Sequence, residues 1–188
     1  MSEIIINDIK EKTQKDILAS SNNNFQIELI TEIGNEDLPG LIEISKYLVK
    51  QFGTQALLTN NNIIKYFNKD TLPFIARYNN DIIGYIIGVP IEKFKEESWA
   101  QYDYNMGKNN TLYTYSFVVK EQYQRRGGYA KTLKRIYLSW AIKRNYKYIT
   151  GHVRQGITKN FPENTQIVKT FPEWYGQKTP FEYYRRPL

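Results

Sequence analysis

The chain is 188 residues long and 41% hydrophobic, with 26 Lys and Arg against 19 Asp and Glu, a formal charge of +7. That length suits one domain with a full core, and no apolar run approaches the roughly 18 residues of a membrane span. With no cysteine and one histidine, a disulfide framework and a thiolate nucleophile are excluded and no metal is expected.

The N-terminus, MSEIIINDIKEKTQKD, lacks the basic start and long apolar core of a signal peptide, so a cytoplasmic protein is expected. Residues 1–24 read as a helical appendage and a linker. Ile5, Ile9 and Leu18, with Ile6 and Ile17 beside them, have the spacing of a short helix, and ASSNNN follows as the linker. The main domain is expected over 25–188. FQIELITEI, 25–33, alternates Ile27, Leu29 and Thr31 with Glu28, Ile30 and Glu32, a half-buried strand. GNED opens a helix, with Asn35 or Asp37 as N-cap and Pro39 in its first turn. Leu41, Ile44, Leu48 and Phe52 then recur at helical spacing, and a second short helix is expected over 60–69.

LPFIARYNNDIIGYIIGVPI reads as a hairpin turning at Asn79-Asn80-Asp81, residues that tolerate positive φ. Glu92 to Asn110 is a long polar loop, and such loops in compact domains are often functional. TLYTYSFVV, 111–119, is a strand. From Tyr129 to Asn145 a helix places Ala130, Leu133, Tyr137, Trp140 and Ala141 on one face. KYITGHV, 147–153, is a strand. From Thr158 a short helix and two strand-like segments, PEWYG and FEYYRR, complete the chain.

A surplus of positive charge favours anionic partners such as phosphates, acidic surfaces or nucleic acid. The chain is also rich in Lys, Asn, Ile, Tyr and Phe, as AT-rich codons would make it, so local clustering is the better guide and nucleic acid is not the expected partner. The cluster lies in VVKEQYQRRGGYAKTLKR, Val118 to Arg135. A strand-to-helix junction leaves first-turn amides without partners, and the helix dipole favours an anion there. Glycine admits close approach to the backbone, and arginine adds charge and forked donors. Arg125-Arg126-Gly127-Gly128-Tyr129-Ala130 therefore suits a phosphate or pyrophosphate. The P-loop pattern fails, because Arg125 and Ala130 occupy its two glycine positions, and the dinucleotide fingerprint G-x-G-x-x-G is absent.

The pattern that fits is R/Q-x-x-G-x-G/A, as Arg125-x-x-Gly128-x-Ala130 after a strand ending Phe117-Val118-Val119. It resembles the acyl-CoA pyrophosphate loop of the GNAT superfamily of N-acyltransferases, and the element order extends that resemblance over 25–188. The resemblance implies an α/β (α+β) fold, a mixed and mainly antiparallel sheet of six to seven strands flanked by helices. The sheet would splay between the fourth and fifth strands, 111–119 and 147–153. It implies acetyl-CoA as co-substrate, without a metal, and an amine acceptor that is a small molecule or a protein. The protein would be a monomer or a homodimer. Amides of Arg126, Gly127, Gly128, Tyr129 and Ala130 would hold the pyrophosphate, Phe117 to Val119 would pair with the pantetheine arm, and Asn160 or Asn164 would touch it. One departure stands out: counted from Val119, the motif starts at Gln124, and Tyr129 then falls where Gly or Ala belongs. The loop is one residue longer than usual.

Many members of that family carry a glutamate base on the first of the splayed strands. This strand has none, and Tyr115 and Ser116 occupy the place. His152, with an ordinary pKa near ~6.5, is a candidate base or else a polar residue at a strand end. The family's tyrosine acid would fall at Phe171, counted from Asn164, which leaves Tyr175 as the nearest candidate. Three readings follow: an N-acetyltransferase acting by direct transfer in a ternary complex, a catalytically inactive acyl-CoA-binding or partner-binding module of the same fold, or a nucleic-acid binder.

Overall fold

The computed structural model describes residues 9–21 and 24–188. Its strands are β1 (Gln14–Ser20), β2 (Phe25–Glu32), β3 (Leu72–Tyr78), β4 (Asp81–Pro90), β5 (Thr111–Val119), β6 (Tyr148–Arg154), β7 (Gln166–Phe171) and β8 (Phe181–Pro187). Two α-helices accompany them, α1 (Leu38–Phe52) and α2 (Tyr129–Lys143). The strands form one sheet in the order β1-β2-β3-β4-β5-β6-β8-β7. Pairing is antiparallel at β1/β2, β2/β3, β6/β8 and β7/β8, and parallel at β5/β6. This is the expected mixed, mainly antiparallel α/β architecture, with eight strands in place of six or seven. The parallel pair expected as fourth and fifth becomes fifth and sixth once β1 is counted. No helix among the described residues is long and apolar enough to cross a membrane.

The chain divides into two compact units. One comprises residues up to 87 with 116–137, the other 88–115 with 138–188. In the first, Ile27 and Leu29 of β2, Leu41 and Ile44 of α1, Phe74 and Ile75 of β3, and Leu133 and Tyr137 of α2 are buried. Glu28 is wholly buried as well, and its carboxylate takes Lys15 Nζ at 2.7 Å and Arg77 Nε at 2.8 Å. Arg77 also donates to Asp37 Oδ2 at 2.7 Å. A carboxylate removed from water needs such partners, since an uncompensated buried charge is strongly destabilising. Asp37 stands at the N-cap of α1 with Pro in the first turn, but its side chain makes no cap hydrogen bond; the Arg77 contact engages it. The β3–β4 hairpin turns as expected at Asn79 (φ 50) and Asn80 (φ 69).

Four expectations are corrected. The helix expected in the N-terminal stretch is, over 14–20, the edge strand β1. So short a segment nucleates a helix poorly, whereas β2 offers it a backbone ladder and the Lys15–Glu28 ion pair. Ile5 and Ile6, and residues 22 and 23 of the expected linker, lie outside the described residues. The helix expected over 60–69 contracts to a 3-10 turn, Ile63–Lys65. Asn68 Nδ2 donates to Ile64 O at 2.8 Å and Thr71 Oγ1 to Tyr66 O at 2.7 Å, and such local side-chain bonds compete with a helix. In the tail, PEWYG is a tight turn with Tyr175 at φ 45 and Gly176 at φ 77, and the strand is instead β7, 166–171. The short helix from Thr158 is a 3-10 turn, Ile157–Asn160.

Candidate active site

In the first unit, β5 leads through a 3-10 turn, Glu121–Tyr123, to the loop that opens α2. Gln124 is tied back, its Nε2 donating to Val119 O at 2.7 Å. Arg125 (φ 58), Gly127 (φ 57) and Gly128 (φ 67) are all left-handed. Gly128 O accepts the first helical bond, from Thr132 N at 2.9 Å, so the next three amides, of Tyr129, Ala130 and Lys131, have no carbonyl partner within the helix. Residues 125–128 are exposed, and no acidic residue stands in the first turn of α2. A side chain at Gly128 would meet nothing within 4 Å, which leaves that backbone face open to a ligand. At Gly127 a Cβ would lie 2.5 Å from the Tyr129 ring. Tyr129 itself, the departure from the family pattern, is turned against Phe25 at 4.7 Å, Tyr78 at 5.7 Å and Tyr123 at 6.0 Å. Its bulk is thus taken up by an aromatic cluster. The result is an exposed cradle of amides flanked by Arg125, Arg126 and Lys131, suited to an anion. Of the strand residues expected to pair with a pantetheine arm, Phe117 is 37% exposed, while Val118 and Val119 are buried.

In the second unit, the β5/β6 ladder covers three residue pairs, Thr111↔Tyr148 to Tyr113↔Thr150, and goes no further. Beyond it, β6 remains paired with β8 as far as Arg154↔Phe181. His152, directly opposite Tyr183 in that ladder, is buried, so it is not a strand-end residue satisfied by water. Its ring is stacked on Trp174 at 3.5 Å and on Tyr183 at 4.7 Å, with Trp99 edge-on at 4.9 Å and Phe171 at 5.5 Å. Its Nδ1 lies 3.0 Å from Tyr113 Oη. Tyr183 donates to Asp103 Oδ2 at 2.6 Å, and Asp103 Oδ1 accepts from Asn105 N at 2.8 Å. Burial pushes the His152 pKa well below its ordinary value and the Tyr113 hydroxyl well above its own. Burial, and then the Asp103 carboxylate, push the Tyr183 hydroxyl up too. At neutral pH the cage therefore holds a neutral imidazole and two protonated phenols.

The other candidates lie as follows. Tyr115 is half-buried and stacks on Phe94 at 6.3 Å, and Ser116 is buried. Tyr175 is 51% exposed and donates to Glu97 Oε2 at 2.9 Å. Asn160 ends the 3-10 turn and Asn164 precedes β7, both exposed. Phe171, where a family tyrosine was expected, packs on His152 and Trp174. The second unit thus gathers His152, Tyr113, Phe171 and Trp174. Sequence reasoning missed Tyr113, Asp103, Tyr183 and Glu97. The aromatic and amide-rich run WAQYDYNMG signalled the loop, but no local pattern sets Tyr183 opposite His152.

The model of the acetyltransferase (GNAT) family matches residues 41–159, more than half of the chain. No curated protein matches it. Among solved structures, Ard1 from Thermoplasma volcanium is 16% identical, with 88% of this chain and 98% of its own covered at a TM-score of 0.62. Ribosomal-protein-alanine N-acetyltransferase from Brucella melitensis is 15% identical, with 83% and 97% covered at 0.59. An aminoglycoside 6'-N-acetyltransferase complexed with coenzyme A is 11% identical, with 86% and 96% covered at 0.62. At such identities these structures establish a shared fold, and the family match goes further: the chain belongs to the acetyltransferase (GNAT) family, whose chemistry is acyl transfer.

Proposed function

We propose that the protein is an acetyl-CoA-dependent N-acetyltransferase that moves an acetyl group to a primary amine by direct transfer in a ternary complex. The observation that carries this reading is the opening of α2. Two left-handed glycines, an open backbone face at Gly128 and two exposed arginines support it, in a loop whose Arg125-x-x-Gly128-x-Ala130 pattern resembles the family's acyl-CoA pyrophosphate loop. Amides of Arg126 to Ala130 take the pyrophosphate and Phe117 to Val119 take the pantetheine arm, with Asn160 or Asn164 touching it. The neutral amine attacks the thioester carbonyl carbon, the tetrahedral oxyanion collapses, and the C–S bond breaks. The amine's proton is passed on and the CoA thiolate is reprotonated. With no cysteine in the chain, no thiol is present to carry the acyl group. Tyr115 and His152 are the polar groups of the second unit assigned to the reaction. Tyr175, its hydroxyl already bonded to Glu97, is the acid.

The acceptor is a small-molecule amine or a protein amine. The test is calorimetric titration with CoA, followed by thiol release from acetyl-CoA over a panel that includes an N-terminal alanyl peptide and an aminoglycoside. Turnover with any amine supports the enzyme. CoA binding without turnover favours a non-catalytic acyl-CoA-binding module, a reading supported by the lack of any carboxylate along 111–119. Gly128→Val, with a branched side chain in the open space over the backbone, should weaken CoA binding at least about tenfold. If it binds CoA like the parent while circular dichroism shows it folded, the loop assignment is wrong.

A further inference from the structure

The ring of His152 is packed among aromatic side chains. Trp174 and Tyr183 stack on it, Trp99 and Phe171 close on it, and Tyr113 Oη bonds Nδ1 at 3.0 Å. Its Nε2 is buried and has no hydrogen-bond partner among the described residues. A proton count separates two arrangements. If Tyr113 donates its O–H to Nδ1, the imidazole proton sits on Nε2, and that one N–H is left unmatched. If Nδ1–H donates to the Tyr113 oxygen, two groups are left unmatched, the Tyr113 O–H and the Nε2 lone pair. His152 is the only partner of Tyr113 Oη among the described residues. Each unmatched buried polar group is a loss relative to water, so the first arrangement is favoured.

Resting on the acyltransferase reading, we propose that His152 is a hydrogen-bond donor and not a base. Tyr113 is a positioning residue that fixes the Nε2–H tautomer, and that N–H is offered to a carbonyl or oxyanion oxygen of a reactant. The oxygen belongs either to the thioester or to the amine substrate. Burial supports this role, because it keeps the imidazole neutral across the working range of pH. A neutral imidazole in a water-free site can polarise a carbonyl without gaining or losing a proton. The titratable groups around it agree. Tyr113 faces it from β5, and Tyr183, bonded to Asp103, from β8. Tyr175, bonded to Glu97, packs edge-on against Trp174. Among the described residues no carboxylate is bonded to the ring to draw a second proton onto it.

The chain's single histidine makes the test direct. With the histidine nitrogens isotopically labelled, NMR of the unmodified protein reads one imidazole. The proton should sit on Nε2, with the ring still neutral, as pH passes through the ordinary imidazole value of about 6.5, and Tyr113→Phe should move the Nδ1 resonance as its hydrogen bond is lost. A proton on Nδ1 in the parent, or conversion to imidazolium near the ordinary pKa, overturns the proposal. This measurement needs no substrate, so a failure of turnover would sink the acyltransferase reading and leave the tautomer result standing. Where an amine of the panel does turn over, His152→Gln keeps an N–H donor but cannot act as a base. It should retain activity within about tenfold, while His152→Leu should lose about a hundredfold, the loss seen when one oxyanion donor is removed. Equal losses overturn the donor role. A loss confined to kcat places the oxygen on the thioester, and a raised acceptor KM places it on the amine substrate; both support the donor.

Discussion

The loop of residues 124–130 and the cage around His152 are made of different materials. The loop is backbone: left-handed glycines, free first-turn amides and exposed arginines, in water and with no large side chain over Gly128. The cage is side chain: a neutral imidazole clamped between rings, with its polar atoms removed from water. A backbone site is set by local chain geometry and is screened by salt. A side-chain site is set by packing, so it is insensitive to salt and intolerant of lost volume. Substitutions in the cage should therefore damage stability, and substitutions in the loop should damage ligand affinity alone.

The largest effect is expected at Trp174. Removing its ring by Trp174→Ala should lower unfolding stability by about 3–5 kcal/mol, measured by urea denaturation. A loss below about 1 kcal/mol would mean that the cage is not a packed core. Next comes Arg125→Glu, which sets a carboxylate against the bound anion. CoA affinity should fall at least about tenfold, from the loss of about 1.5–3 kcal/mol of charge-assisted contact, with the urea midpoint unchanged. A shifted midpoint would blur the contrast between the two regions.

The third effect is a slope. The folded-state pKa of His152 is depressed, so below the ordinary value the unfolded chain binds a proton that the folded chain does not. Stability is therefore intact above about pH 6.5 and falls as pH drops below it, by about 1.4 kcal/mol per unit from this residue. His152→Phe should remove that share of the slope, and an unchanged slope would place the histidine in contact with water. The smallest effect is expected at Lys134, one turn into α2. Lys134→Glu should weaken CoA by no more than about 1 kcal/mol, because helix-end electrostatics fade within the first turn. If it equals Arg125→Glu in calorimetry, charge is acting at long range and the loop geometry matters little.

The same difference in materials decided what could be read from the sequence. The exposed glycine turn that opens α2 was legible because its residues are consecutive, and the β3–β4 hairpin was legible because Asn79 and Asn80 announce their own φ. The cage was not, since Trp99, Asp103, Tyr113, His152, Trp174 and Tyr183 meet only through strand register and a loop. At His152 the sequence offered a base or a polar residue at a strand end, because position along a strand cannot show what covers the ring. β1 was misread for a related reason. The spacing of Ile17 and Leu18 suits a helix as well as a strand, and the deciding contacts, Lys15 to Glu28 and the β2 ladder, are not local.

Two of the three tryptophans, Trp99 and Trp174, lie against His152. Such rings are native fluorophores, and a protonated imidazole in contact with an indole quenches its emission. The cage therefore carries its own optical gauge. Emission from the unlabelled protein should be bright while the imidazole is neutral and dim as acid charges it. It should also change whenever a reactant oxygen settles on the histidine edge, with Trp140 on α2 contributing a background set elsewhere in the chain.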